Sequence, residues 1–367
     1  MNKTKVLILG KLPPPYMGPS IATEILLKSD LKNRFELIHL DTKINHSISS
    51  FGKWNFTKIS KNISIYFNLI SILRKNKPEI VLIPISQTTT GFIKDSIFIL
   101  VASLFKTKII IQLRGSDIQN WLSKSSNLTR TFFKSILKKT KAVIVLGNNL
   151  KYLFKDYYSN ENIFVIPNGG NYSIPQKSEN AKAIKILYFS NLLESKGIED
   201  VVEAISILKT SNLSQSFSVD LVGAWYSKVT ENNCLQLIKN EQLPVSIHSP
   251  KSGNEKLNFL ANANIFVFPP REPEGHPWAI VEAMAAQLPI ISTDKGAIIE
   301  SVIDDKNGFI VPEKNPEMIA EKLKLLIENS ELRKQMGLAS FNLYLTNFTE
   351  EKMVDKYTAT FNAILKS

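Results

Sequence analysis

The sequence predicts an α/β fold built from two doubly wound parallel sheets. Three features of its 367 residues carry that reading: twelve short β-branched apolar runs, helix-length segments between them, and one polar stretch dividing the runs six and six. Runs that stay apolar throughout, instead of alternating, belong to strands covered by helices on both faces. A chain of this length also exceeds what one hydrophobic core usually serves, so two domains are expected.

In the first half, strands are expected at 5–10 (KVLILG), 36–41 (ELIHLD), 79–85 (EIVLIPI), 108–115 (KIIIQLRG), 142–147 (AVIVLG) and 163–168 (IFVIPN). The polar stretch GGNYSIPQKSENAKA, 169–183, is expected as a linker. Beyond it, strands are expected at 184–190 (IKILYFS), 218–223 (SVDLVG), 245–249 (VSIHS), 265–270 (IFVFPP), 289–294 (PIISTD) and 308–312 (GFIVP). The domains then run over 1–168 and 184–348, and a last helical segment, 349–367, is expected to pack back on the first. In such sheets ligands bind beyond the carboxyl ends of the strands, and the cleft between two facing domains is the expected site.

Composition sets further limits. One cysteine, Cys234, excludes an internal disulfide and suits a reducing compartment. The start, MNKTKVLILG, enters a strand at once with no leader or cleavage signal, so export is not expected. The net charge of +12 is uneven: residues 1–170 hold 25 Lys and Arg against 9 Asp and Glu, a net +16, while the rest hold 20 against 24. Basic runs such as KSILKKTKA (134–142) and RKNKPE (74–79) attract nucleic acid or an anionic leaflet, unless they are only a solvated lysine-rich face. The apolar run SIFILVASLF (96–105) has half the length a spanning helix needs. A buried helix is expected there, with an interfacial segment as the alternative.

Motifs follow the strands. GKLPPPYMGPSIATEILL (10–27) places Gly10 and Gly18 before a helix expected to be capped by Ser20, with backbone amides presented to an anion, or simply turns the chain. In LRGSDIQNW (113–121), Arg114 and Asp117 either bind a sugar hydroxyl or acceptor phosphate, or Ser116 and Asp117 cap a helix. In SNLLESKGIEDVVEAI (190–205), Lys196-Gly197 brings an ammonium to a helix start, a phosphate position, unless it is a surface lysine beside a turn. EGHPWAIVE (274–282) separates Glu274 and Glu282 by seven residues. Pro277 is expected in the first turn of a helix running to about Gln287, with Glu274 in the loop before it and Glu282 more than one turn inside. The amides of Trp278, Ala279 and Ile280 are expected to point out of the helix start toward a diphosphate. Acids near helix starts are favoured in any case.

Together these segments resemble the retaining glycosyltransferases of family 4, whose fold is GT-B: two doubly wound Rossmann-like domains facing across a cleft. The resemblance covers nearly the whole chain and is most specific in EGHPWAIVEAMAAQLPIISTD (274–294), similar to the family's E-x7-E element and following strand. NGF at 307–309, KG at 196–197, VG at 222–223, PNG at 167–169 and the Gly18 loop keep the family order. The resemblance implies that Glu282 accepts hydrogen bonds from the ribose of a nucleotide sugar and that Glu274 binds hydroxyls of the transferred sugar. Gly275 and the amides of His276 to Ile280 would hold sugar and diphosphate, and Lys196 would neutralise the departing diphosphate beside Asn191. Gly18 and Ser20 would complete the site, with Asp117 and Arg114 at the donor sugar or the acceptor. The resemblance implies neither metal nor cofactor, the nucleotide sugar being the substrate, and implies that transfer would proceed with retention from the leaving-group face. The chain departs from the family at Gly18-Pro19 (two glycines in many members), Asn191 (arginine), Arg114 (histidine) and Gln287 (glycine), and Pro277 removes an amide.

The resemblance further implies a lipid-diphosphate-linked acceptor in O-antigen, capsule or other surface-polysaccharide synthesis, and a cytoplasmic enzyme peripheral on the inner face of the membrane. A nucleotide-sugar epimerase or phosphorylase of the same architecture is the alternative enzyme, and a non-enzymatic basic nucleic-acid-binding protein the alternative class. The latter leaves the acidic pair of the second half unused and shows no recognised motif.

Overall fold

A computed structural model describes residues 3–14, 16–43, 56–176 and 183–367; side chains of 56–63 are not described. Pro15 of the first motif and residues 177–182 of the expected linker lie outside the described residues.

All twelve expected strands form, in two six-stranded sheets with every pairing parallel. The first contains β1 (Lys5–Gly10), β2 (Glu36–Asp41), β3 (Ile80–Ile85), β4 (Lys108–Leu113), β5 (Ala142–Val145) and β6 (Ile163–Val165), in the order β2-β1-β3-β4-β5-β6. The second contains β7 (Ile184–Phe189), β8 (Phe217–Val222), β9 (Val245–His248), β10 (Ile265–Phe268), β11 (Ile290–Ser292) and β12 (Gly308–Ile310), in the order β12-β11-β10-β7-β8-β9. Strand order therefore reverses between β1 and β3 in one sheet and between β7 and β10 in the other, and such switch points open a crevice at the carboxyl ends. Several strands stop short of the expected boundary. β10 ends at Phe268 because Pro269 and Pro270 have no amide to give the ladder.

The chain divides into two compact units, residues 1–168 with 350–367, and residues 169–349. In the first, the helix Glu350–Lys366 puts Met353, Val354, Tyr357, Phe361 and Ile364 into one apolar cluster with Val6, Ile8, Ile80, Leu82, Ile110 and Ile144. Tyr357 and the buried Gln112 hydrogen-bond at 2.8 Å, and Lys108 Nζ donates to the carbonyls of Ile364 (2.7 Å) and Leu365 (3.0 Å) at the helix end. The expected linker starts inside the second unit: the Gly170 amide donates to Phe348 O at 3.1 Å, and Tyr344 Oη to Gly170 O at 2.8 Å.

The run SIFILVASLF lies in the helix Thr89–Ser103 and the turn after it, but is buried on one side only. Phe98, Ile99 and Ala102 face the core while Ile97, Leu100 and Leu104 face outward. Among the described residues, no helix is long and apolar enough to cross a membrane.

Candidate functional site

Adjacent strands β7 and β10 flank the second unit's switch point, with Ile186 opposite Ile265 and Leu187 opposite Phe266. Each ends in a loop carrying one of the expected site residues: Lys196 after β7, Glu274 after β10. Their side chains meet, Lys196 Nζ donating to Glu274 Oε1, although 78 residues separate them. Three devices hold the Lys196 turn against β10. Gly197 adopts φ 74°, and a Cβ there would collide with the Pro269 carbonyl. Tyr188 Oη donates to the carbonyls of Asn191 (3.3 Å) and Lys196 (3.2 Å), and burial pushes its phenol well above the ordinary range, so it stays a donor. Arg271 grips Asp200 bidentately at 2.7 and 2.8 Å and reaches Glu194 and Glu199 at 3.2 Å, while its own amide donates to Ser195 O at 3.0 Å. Hydrogen bonds to Asp200 are the main reason that its guanidinium is held even more firmly protonated than usual.

The helix after Glu274 is Trp278–Ala285, shorter at both ends than expected. Pro277 is its N-cap, at φ −67° and ψ 126°, and not a first-turn residue. The Ile280 amide is also not presented outward: it donates to Pro277 O at 3.2 Å, and the Ile280 side chain is fully buried. Trp278 and Ala279 are the first two residues of the helix, at positions whose amides precede any i−4 carbonyl of the helix itself. The His276 ring points away from such a site. It is 3% exposed, bonded through Nε2 to Ser301 Oγ at 2.5 Å and packed 5.0 Å from the Phe348 ring, so only the His276 backbone can serve the loop. Gly275 O accepts from Ala297 N at 2.8 Å, and Gly296, at φ 58°, lets the chain pass against the Glu274 carbonyl where a Cβ would not fit. Gln287, just past the helix, sits at φ 56°, a left-handed position that explains why a glycine is favoured there.

Glu282 lies one turn inside this helix with 4% exposure, and Lys256 Nζ, from the helix Gly253–Asn262, contacts its Oε1 at 2.5 Å. Burial raises the Glu282 carboxyl above the ordinary carboxylate range, and Lys256 offsets only part of that. Each acid of the E-x7-E pair is thus matched with a lysine, Glu274 with Lys196 and Glu282 with Lys256.

The other candidates belong to the first unit. The helix there starts at Gly18 and is capped by Met17; Ser20 is its third residue, buried, its hydroxyl accepting from Met17 N at 3.1 Å. The expected Ser20 cap is therefore corrected to a third-position partner, because its Oγ reaches back to the residue before the helix. Arg114, half-buried after β4, donates to Asn168 Oδ1 at 3.5 Å. Asp117 occupies the N-cap of the helix Ile118–Ser123 without a cap bond and accepts instead from Asn120 Nδ2 at 2.9 Å. Among the described residues there is no group of three or more His, Cys, Asp or Glu able to hold a metal.

Lys256, Tyr188 and Arg271 are absent from the sequence reading. Lys256 is 26 residues from Glu282 on another helix, and nothing in its local sequence signals the pairing. Arg271 did carry a signal, a lone cation in PPREPE facing the acids of ESKGIED, but only the fold brings the two segments together.

Residues 172–342 match the family described as Glycosyl transferases group 1. An uncharacterized glycosyltransferase of Methanocaldococcus jannaschii, MJ1178, is 30% identical over 241 residues, 65% of this chain and 64% of that protein. The capsular polysaccharide biosynthesis glycosyltransferase CapM of Staphylococcus aureus is 26% identical over 183 residues, 49% of this chain and 46% of CapM. The matched stretches thus span less than two thirds of either relative. A crystal structure of a glycosyltransferase from Rickettsia africae superposes with a TM-score of 0.76 at 21% identity, covering 100% of both chains. With the two parallel sheets, that likeness makes the fold GT-B.

Proposed function

We propose, for a chain whose residues 172–342 match the group 1 glycosyl transferases, that it moves a hexosyl group from a UDP- or GDP-sugar to a glycan acceptor with retention of configuration. The carrying observation is the switch-point geometry of the second unit, where a lysine and two separated glutamates flank one helix start. Glu282 in the helix accepts from the ribose and Glu274 in the loop accepts from the sugar. The Trp278 and Ala279 amides with Gly275 hold the diphosphate, and Lys196 takes the charge that develops on it as the sugar leaves. Preorganised donors of this kind need no reorganisation at the moment of reaction. No metal is required by this scheme, and the departing phosphate receives the acceptor's proton. Within the first unit, Gly18 and Ser20 are the substrate-binding residues we propose, with Arg114 and Asp117 as contacts for a sugar or the acceptor.

The acceptor we propose is a lipid-diphosphate-linked sugar in surface-polysaccharide synthesis, with the enzyme peripheral on the inner face of the cytoplasmic membrane. The capsule relative and the +16 charge of residues 1–170 support this reading. Thermal-shift screening against a panel of nucleotide sugars tests the donor: a ligand at about 100 times its Kd adds about 2.7 kcal/mol to stability. A single nucleotide series should raise the melting temperature; no shift with any nucleotide sugar overturns the proposal.

Glu282 adds a pH signature. Its folded-state pKa is raised, so the folded chain holds this proton to higher pH than the unfolded chain. The group's contribution to stability is therefore greatest at low pH and is lost as pH rises through the folded value. Donor binding has the opposite preference, because the ribose needs the carboxylate as acceptor. Donor affinity measured by calorimetry from neutral pH downward should fall before the ordinary carboxylate range is reached. Glu282→Gln should bind donor weakly and lose that step; an identical step in the variant would assign it to another group.

A further inference from the structure

We infer that the first unit carries a docking face for an anionic phospholipid surface, formed by the helices Phe56–Asn76 and Thr89–Ser103 and a cationic cavity where both end. Two segments that the donor site leaves unused, SIFILVASLF and RKNKPE, meet there.

Along the second helix and its following turn, Ile93, Ile97, Leu100 and Leu104 are 48%, 37%, 36% and 82% exposed. Their spacing of four, three and four residues lines them along one face. On the opposite face, Phe92, Phe98, Ile99 and Ala102 are buried, so this is an outward stripe on a well-anchored helix. Phe67, 66% exposed, adds a ring from the neighbouring helix, which is held by Tyr66 against Phe98 with ring centres 4.8 Å apart. An apolar stripe of this length facing water marks a contact surface.

Beyond the stripe, Arg74, Lys77, Lys106 and Thr107 line a cavity of about 400 Å³ together with Leu73 and Phe105. None of the three cations makes an ion pair among the described residues. Thr107 Oγ1 is buried and has no hydrogen-bond partner among them. No carboxylate lines the cavity, and the neighbouring Glu79 accepts the Lys5 amide at 2.8 Å. Three cations with no carboxylate among them suit an oxyanion, and the adjoining stripe suits hydrocarbon. A phospholipid headgroup at a bilayer surface presents both together, whereas a soluble phosphate presents only the first, and the surrounding net charge of +16 favours the anionic leaflet. The cavity borders the amino ends of β3 and β4, away from the carboxyl end of β4 where Arg114 stands. This inference rests on the proposed peripheral placement of the enzyme and identifies the face turned to the membrane.

Cosedimentation of the full chain, without donor or acceptor, on vesicles of phosphatidylcholine alone or with about 30% phosphatidylglycerol provides the test. The chain should bind the anionic vesicles and release with salt. Replacing Arg74, Lys77 and Lys106 together by alanine should weaken partitioning about a hundredfold, at about fivefold per basic group. Phe67→Asp with Leu104→Asp should weaken it at least tenfold through the apolar stripe. Both variants should keep the native melting temperature and the donor-induced shift, since neither touches the second unit. Unchanged partitioning in both variants overturns the inference. So does loss of inorganic-phosphate binding in the triple variant with vesicle binding intact, which would assign the cavity to a soluble phosphate. A wild-type chain that binds vesicles but no nucleotide sugar would sink the glycosyl-transfer reading and leave the docking face standing.

Discussion

Lys196→Ala should lower kcat by about 10²–10³-fold, the usual loss when one preorganised donor to a developing negative charge is removed. The ammonium stands at the turn before the helix Ile198–Thr210, held there by Gly197 and by the Tyr188 hydroxyl. In the proposed role its charge acts most strongly once the sugar–phosphate bond has stretched, so kcat should fall further than donor KM rises. Lys196 also pairs with Glu274, and loss of that pairing alone would mimic the effect. The double variant Lys196→Ala/Glu274→Gln separates the two cases. If Lys196 merely neutralised Glu274, the double variant would recover activity; the proposed role requires it to remain as slow as the single one. Lys196→Arg keeps the charge but not the compact ammonium, and should recover only part of the rate.

The second large effect is structural. Arg271→Met should destabilise the second unit by about 3–5 kcal/mol, because one cation holds three carboxylates and its removal leaves a buried charge uncompensated. Asp200 dominates that cost, with its side chain only 3% exposed; the largely exposed Glu194 contributes little. Urea denaturation followed by fluorescence should show the midpoint fall with the slope unchanged. Arg271→Lys should rescue poorly, since an ammonium cannot make the bidentate contact. The Lys196 turn should loosen as well, because Arg271 and Glu272 both donate to Ser195 O, and residual activity should fall more than the folded fraction does. A wild-type midpoint in Arg271→Met would remove the network from the account of the site.

Strands and switch-point loops were legible in the sequence because their physics is local. A run such as KVLILG or IFVF has to be buried on both faces, and proline pairs, glycine turns and caps mark where such runs stop. The limits of local reading show at the helix after Glu274. Its composition allows a first-turn Pro277 and an outward Ile280 amide, but the chain closes a tight turn onto Pro277 O and takes that amide inside. His276 shows the same limit: a polar residue in a loop reads as a site residue until Ser301 and Phe348 enclose its ring. The outward face of Thr89–Ser103 was illegible for the converse reason, since an almost wholly apolar segment carries little periodicity to show which side is covered.

The sequence by itself determined the two parallel sheets, the placing of Lys196, Glu274 and Glu282 after or beyond their strands, and the charge asymmetry between the halves. These follow from residue type and near neighbours along the chain. Only the tertiary structure decided that Lys256 answers Glu282, that Arg271 and Tyr188 hold the Lys196 turn, and that Arg74, Lys77 and Lys106 share one cavity. Such groupings join residues dozens of positions apart. They arise when parallel crossovers bring distant strand ends and helix ends side by side, and a buried or crowded charge is then stabilised by whichever partner the packing places within reach.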